Sequence, residues 1–175
     1  MPTKMAVGAL AAGAAIALAC SSGGKDAVQD SGTSGGDKAK AAKVATLNQP
    51  ARDGKFEFTV SGVQCGAGKV GPSGFGETAQ GEFCFITVSV KNIGKEAQLY
   101  DGSSQKVYDA KGTQFSNDSA AEMYANEGTP TFLKEINPGN QVKGRLVFDV
   151  PKKTKLTTIE LHDSAFSGGV TVKLA

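Results

Sequence analysis

The sequence predicts an all-β fold, a two-sheet antiparallel sandwich of about seven or eight short strands carried by residues 52–175. Three observations predict it. Apolar and polar residues alternate with period two in run after run from Phe56 onward, in β-branched and aromatic types. Short stretches of turn chemistry separate the runs. No long helical period interrupts them.

Taken in order, "FEFTVSGV" puts Phe56, Phe58 and Val60 on one face of a strand. "FCFITVSVKN" puts Cys84, Ile86, Val88 and Val90 on one face and Phe85, Thr87 and Ser89 on the other. "QVKGRLVFDV" groups Val142, Leu146, Phe148 and Val150, "TTIELHD" offers Ile159 and Leu161, and "GVTVKL" offers Val170, Val172 and Leu174. Shorter candidates are "AQLY", "KVYDA" and "TFLKEI". The separators are "DGSS", "DAKGT", "NPGN" and "SGG". In "NPGN", Pro138 presets its own dihedral and Gly139 can take the positive φ that a type II turn needs. One short helix is predicted within Asp118–Asn126, "DSAAEMYAN", with Asp118 as its cap.

A different kind of chain precedes the sandwich. Lys4 is followed by an uncharged run from Met5 to Ala19, too short for the roughly 20 apolar residues of a membrane-spanning helix. A charged start, a short apolar core and small residues at its end describe an export signal, assigned to residues 1–19. Ala17-Leu18-Ala19 fits ordinary signal peptidase, and cleavage there leaves Cys20 first, as in a bacterial lipobox. Leu18 stands two residues before the cysteine, whereas lipoproteins favour Leu three before, where Ala17 stands. Cys20 is the expected lipidation site and hence the membrane contact. Residues 20–51 then read as a flexible Gly/Ser/Ala/Lys linker with no aromatic residue and little to bury. A tether of about 30 residues reaches roughly 30 Å.

The chain holds three cysteines. With Cys20 lipidated, Cys65 and Cys84 remain, and in an oxidising compartment a Cys65–Cys84 disulfide is the simplest outcome. It would close the Gly-rich loop "GAGKVGPSGFGETAQGEF", contributing about 3 kcal/mol through chain entropy. There is no Cys-x-x-Cys pair for redox work. The single histidine, His162, has no cluster of soft ligands, so neither a metal nor a cofactor is expected.

Charge excludes a further class. The net charge is +2, and residues 52–175 hold 14 Lys plus Arg against 14 Asp plus Glu. A nucleic-acid binder carries a basic stripe. Here Lys152, Lys153 and Lys155 are the only cluster, and they read as a solvated turn.

The stretches "DGKFEFTVSGVQCG", "GEFCFITVSVKNIGKE", "VYDAKGTQF" and "INPGNQVKGRLVFDVPKKTKLTTIELHD" resemble a family of actinobacterial lipoproteins and secreted proteins. These carry a telokin-like, immunoglobulin-like domain of unknown function, and the mycobacterial immunogenic secreted protein is a more distant relative. The resemblance covers roughly 52–174 and implies an immunoglobulin-like β-sandwich with no catalytic residues to carry over. The sequence lacks the Trp of antibody domains, and its two cysteines are too close for their inter-sheet bridge.

Three functions follow, of different kinds. The first is a non-catalytic binding module at the cell envelope, lipid-anchored on the extracytoplasmic face or secreted. Its partner would be an envelope or extracellular protein, met through the Gly66–Phe83 loop with Phe75 or the Phe115–Phe132 segment with Met123 and Tyr124. The second is a carrier of a small apolar ligand between the sheets. The third is an envelope hydrolase. Serine–histidine–acid chemistry could recruit only His162, and the acids Asp101, Asp109, Glu122 and Glu127 form no motif for glycosidic chemistry.

Overall fold

The computed structural model describes residues 44–126 and 132–175. The expected signal peptide, Cys20 and the linker as far as residue 43 lie outside the described residues, as does Glu127. The elements are β1 (Ala45–Thr46), β2 (Pro50–Asp53), β3 (Phe56–Val70), β4 (Glu77–Asn92), β5 (Gln98–Leu99), a 3-10 turn (Gly102–Ser104), β6 (Lys106–Asp109), β7 (Gln114–Ser116), α1 (Ser119–Ala125), β8 (Glu135–Ile136), β9 (Gln141–Val150), β10 (Leu156–Leu161) and β11 (Val170–Lys173).

They form a β-sandwich. One sheet has the order β1-β11-β10-β6-β7 and the other β2-β3-β4-β9, with a small β5-β8 ribbon. All pairings are antiparallel except β1 with β11. The alternation read from the sequence is the inward face. Phe56, Phe58, Val60, Cys84, Ile86, Val88, Val90, Leu146, Phe148, Ile159, Leu161 and Val172 are fully buried in one core. Tyr100 is packed among its aromatics, with ring centroids 5.7 Å from Phe56, 5.9 Å from Phe58 and 4.9 Å from Phe132.

The sandwich begins at Ala45, ahead of the Arg52 boundary read from the sequence. β1 and β2 bury one residue each, Ala45 and Ala51. One small buried residue per strand leaves no alternation to detect.

A second, smaller cluster lies on the outer face of the four-stranded sheet. Phe83, Val147 and Ala121 are buried there, with Ala67, Val70, Ala79, Phe85 and Ala125 around them. α1 supplies Ala121 and Ala125 and covers that face. Asp118 caps it as expected, its carboxylate accepting from the Ala121 N–H at 2.9 Å.

The strand ends are tied by a buried amide. Asn92 is fully buried at the end of β4. Its Nδ2 donates to the carbonyls of Glu96 and Ile136, each at 2.7 Å, and its Oδ1 accepts from Gly94 N–H at 2.8 Å. Its backbone bonds Asn140 and Gly139 of the "NPGN" turn, where Gly139 has φ +79. One side chain thus joins the end of β4 to the turn at Gly94–Glu96 and to β8, and satisfies the buried Ile136 carbonyl. Asn92→Ala should lower the unfolding free energy by about 2–4 kcal/mol, because it strands groups on both sides of the lost amide. Urea denaturation tests this, and a loss below about 1 kcal/mol would show that the turns hold without it.

Candidate interaction surface

The segment between the cysteines is not a loop. β3 and β4 run on past the disulfide, pairing through Ala67↔Phe83 and again at Lys69↔Thr78 and Val70↔Glu77. They leave a turn at residues 71–76, and the ladder is interrupted before it, where residues 79–82 of β4 oppose only Gly68. The result is a hairpin arm extending beyond the sandwich.

Cys65 and Cys84 sit directly opposite each other across the two strands and are disulfide-bonded. Cys84 is fully buried, whereas Cys65 is exposed. The bond therefore clasps the arm where it leaves the core. In a chain whose free thiols would otherwise persist, such a bond belongs to an oxidising compartment.

α1 braces the arm from one side. Tyr124 is half-buried, its ring lying over Gly71 at the base of the turn. A Cβ on Gly71 would come within 2.8 Å of Tyr124 Cδ1. Phe75, at the tip, is 79% exposed, and Met123, on the solvent side of α1, is 66% exposed. The structure thus brings Tyr124 to the arm's tip as packing and leaves Phe75 and Met123 as free apolar side chains.

Sequence reasoning places Glu122 among scattered acids, but the structure buries it. Its carboxylate is buried between α1 and the 3-10 turn, pressed against the Cα of Gly102 with no room for a side chain there. Asn117 Nδ2 donates to Glu122 Oε2 at 2.6 Å. Burial pushes its pKa up to about 7, the Asn117 hydrogen bond opposes the rise, and the nearby Asp101 carboxylate adds to it. Next to it, the Tyr100 hydroxyl is buried with no hydrogen-bond partner, and its pKa is raised by desolvation and by Glu122 and Asp101. A lone Glu on a short helix gives no sequence signal for such burial.

The one arrangement resembling a nucleophilic triad does not assemble. His162 lies just past β10, with Glu160 Oε1 3.0 Å from its Nε2, within ion-pair range but not aligned as a hydrogen bond. Its Nδ1 faces the Ser167 carbonyl at 3.3 Å and the Ser167 hydroxyl at 3.4 Å. A ring nitrogen facing a carbonyl carries the proton and cannot accept one. The Ser167 hydroxyl donates to Ser164 O at 3.0 Å instead. Asp101 caps the 3-10 turn, its carboxylate engaged by Ser103, and Asp109 accepts backbone N–H bonds in its own turn. Among the described residues, no group of three or more His, Cys, Asp or Glu is placed to hold a metal ion, and no helix is long and apolar enough to cross a membrane.

The domain is a small sandwich with one cross-strand disulfide at the base of its hairpin arm. Its family is shown directly: the chain belongs to the family described as a domain of unknown function, DUF4352, which matches residues 45–172. Similar solved structures show the same fold. One is a secreted protein from Mycobacterium tuberculosis, MPT63, with 16% identity, 76% of this chain and 99% of that one covered, and a TM-score of 0.54. Another is the yjhA protein from Bacillus subtilis, with 17% identity, 75% and 100% covered, and a TM-score of 0.55. Among curated proteins, none matches this chain.

Glu122 makes the domain's stability depend on pH. A carboxyl whose folded pKa lies above its unfolded value of 4.5 holds its proton more tightly when folded, so stability is full below about pH 4.5 and falls as pH rises towards 7. The loss is on the order of 3 kcal/mol at most. Glu122→Gln should therefore raise the melting temperature at pH 8 and leave it unchanged at pH 4. Equal gains at both pH values would show that the carboxyl is not titrating against burial.

Proposed function

We propose that this protein is a non-catalytic interaction module of the cell envelope, held on the extracytoplasmic face of the membrane by a lipid on Cys20. The carrying observation is the clasped arm: Phe75 at its tip and Met123 on the bracing helix stay exposed although the core around them is tightly packed. Exposed apolar side chains on a rigid support suit recognition of a protein surface. The disulfide supports export, and the lipobox-like "LAC" before a Ser/Gly segment supports lipidation. The placement of His162 and Ser167 supports a module without nucleophilic catalysis. Aromatic rings filling the space between the sheets count against the carrier reading. The resemblance to actinobacterial lipoproteins with a telokin-like domain fits the same picture.

The secreted Mycobacterium tuberculosis protein of the same fold favours a second reading, a diffusible secreted form. Intact mass of the native protein from the membrane fraction, before and after reduction and alkylation, separates the two. The expected mass starts at Cys20 with acyl chains, and two thiols appear only on reduction. An unlipidated chain in the medium would establish the secreted form. Turnover of an envelope substrate that is lost in His162→Ala would sink the non-catalytic reading.

A further inference from the structure

The two long strand edges of the four-stranded sheet are treated differently. β9 is an edge strand, and polar groups around α1 close it. Asn126 imitates a neighbouring strand, its Oδ1 accepting from Arg145 N–H and its Nδ2 donating to Arg145 O, both at 2.8 Å. Asn117 Oδ1 accepts from Val147 N–H at 3.0 Å, and Asp118 N–H donates to Val147 O at 2.7 Å. Unpaired edges invite strand addition, and β9 is guarded against it.

The outer edge of β3 has no such guard. β2 covers Phe56–Thr59, and Asn48 N–H reaches Val60 O at 2.8 Å. From Ser61 to Val70, no described strand or side chain pairs with the outer side. Ser61, Gln64, Cys65, Gly66, Gly68 and Lys69 are exposed. The stretch contains no Pro, and its one charge is Lys69. Register shifts bend it at Gly62, Ala67 and Lys69, but Gly62–Cys65 is a continuous ladder on β4, locked by the disulfide. Over that ladder the edge is solvated, unpaired and already extended, a preorganised template for an extended backbone.

We propose that the outer edge of Ser61–Val70 binds an extended segment of another protein as an added strand of this sheet. This rests on the interaction-module reading and gives it a site. The chemistry of the edge specifies the occupant. Gly62, Gly66 and Gly68 leave open ground on the pleat, which β-branched or aromatic side chains of the incoming strand fill. Lys69 favours an acidic residue beyond them. A second copy fits poorly, because glycine would oppose small residues.

The test is amide hydrogen exchange on the full chain with a synthetic peptide of alternating Val, Tyr and Thr ending in Glu. Exchange across Ser61–Val70 should slow about tenfold while the β9 edge is unchanged. The same peptide with alternate backbone nitrogens methylated should give no protection. Lys69→Glu should weaken the Glu-ended peptide about threefold and favour a Lys-ended one. Protection that appears elsewhere, survives methylation, or develops without peptide through self-association would overturn the assignment. If cells yield a partner that cross-links through Phe75 or Met123 and not through Gln64, the interaction module stands and the edge site falls.

Discussion

Cys65 and Cys84 can face each other only because β3 gains a residue between the core and the arm. From Phe56↔Asn92 to Val60↔Val88, the antiparallel register pairs even residues with even residues. Cys65 and Cys84 differ in parity, so an uninterrupted ladder could never oppose them. The bulge after Val60 sets Gly62 against Thr87 and brings odd against even as far as Cys65↔Cys84. The clasp depends on that shift. The same shift turns Val63 towards the core, brings the sulfurs together, and re-aims the strand out of the sandwich as the arm. Gly62 is where such a kink costs least, since it has no side chain to displace.

The part of the fold that was legible in the sequence is the part governed by one period. Phe56, Phe58, Val60, Cys84, Ile86, Val88 and Val90 alternate because each strand has one face in the core, and the structure buries all of them. The Gly66–Phe83 stretch was illegible for the converse reason. It reads as loop because of its glycines, yet most of it lies in two strands, held by the clasp and by Ala67, Val70, Ala79 and Phe83 packing with α1. Val147 escaped notice because β9 is buried on both faces, so an apolar run replaces alternation there. Of the candidate site residues, Phe75 and Met123 are as free as a surface-binding role requires, while Tyr124 is spent on packing.

Polar side chains that stand in for backbone were the least visible of all. Asn92, Gln105, Asn117 and Asn126 each complete a hydrogen-bond set that a strand or turn would otherwise supply. Gln105, fully buried, donates to Asp101 O and His162 O and accepts from His162 N–H, joining the start of β6 to the end of β10. In a sequence, an isolated Asn or Gln announces a turn or a surface. Its role as a surrogate peptide group depends on which distant backbone lacks a partner, and that is a property of tertiary structure alone.

The same accounting orients the domain. β1 runs parallel to β11 with Ala45 beside Val172, so Val44 lies at the end of the sandwich that carries residues 162–169. Asp163 N–H bonds Asp53, and Lys55 N–H bonds Asp163, which puts the start of β3 at that end too. β3 then crosses the whole sandwich before it becomes the arm. The described chain therefore enters at one end and presents Phe75, the clasp and the unpaired edge towards the other. Asp53 and Asp163 fix that direction with carboxylates that accept backbone N–H groups.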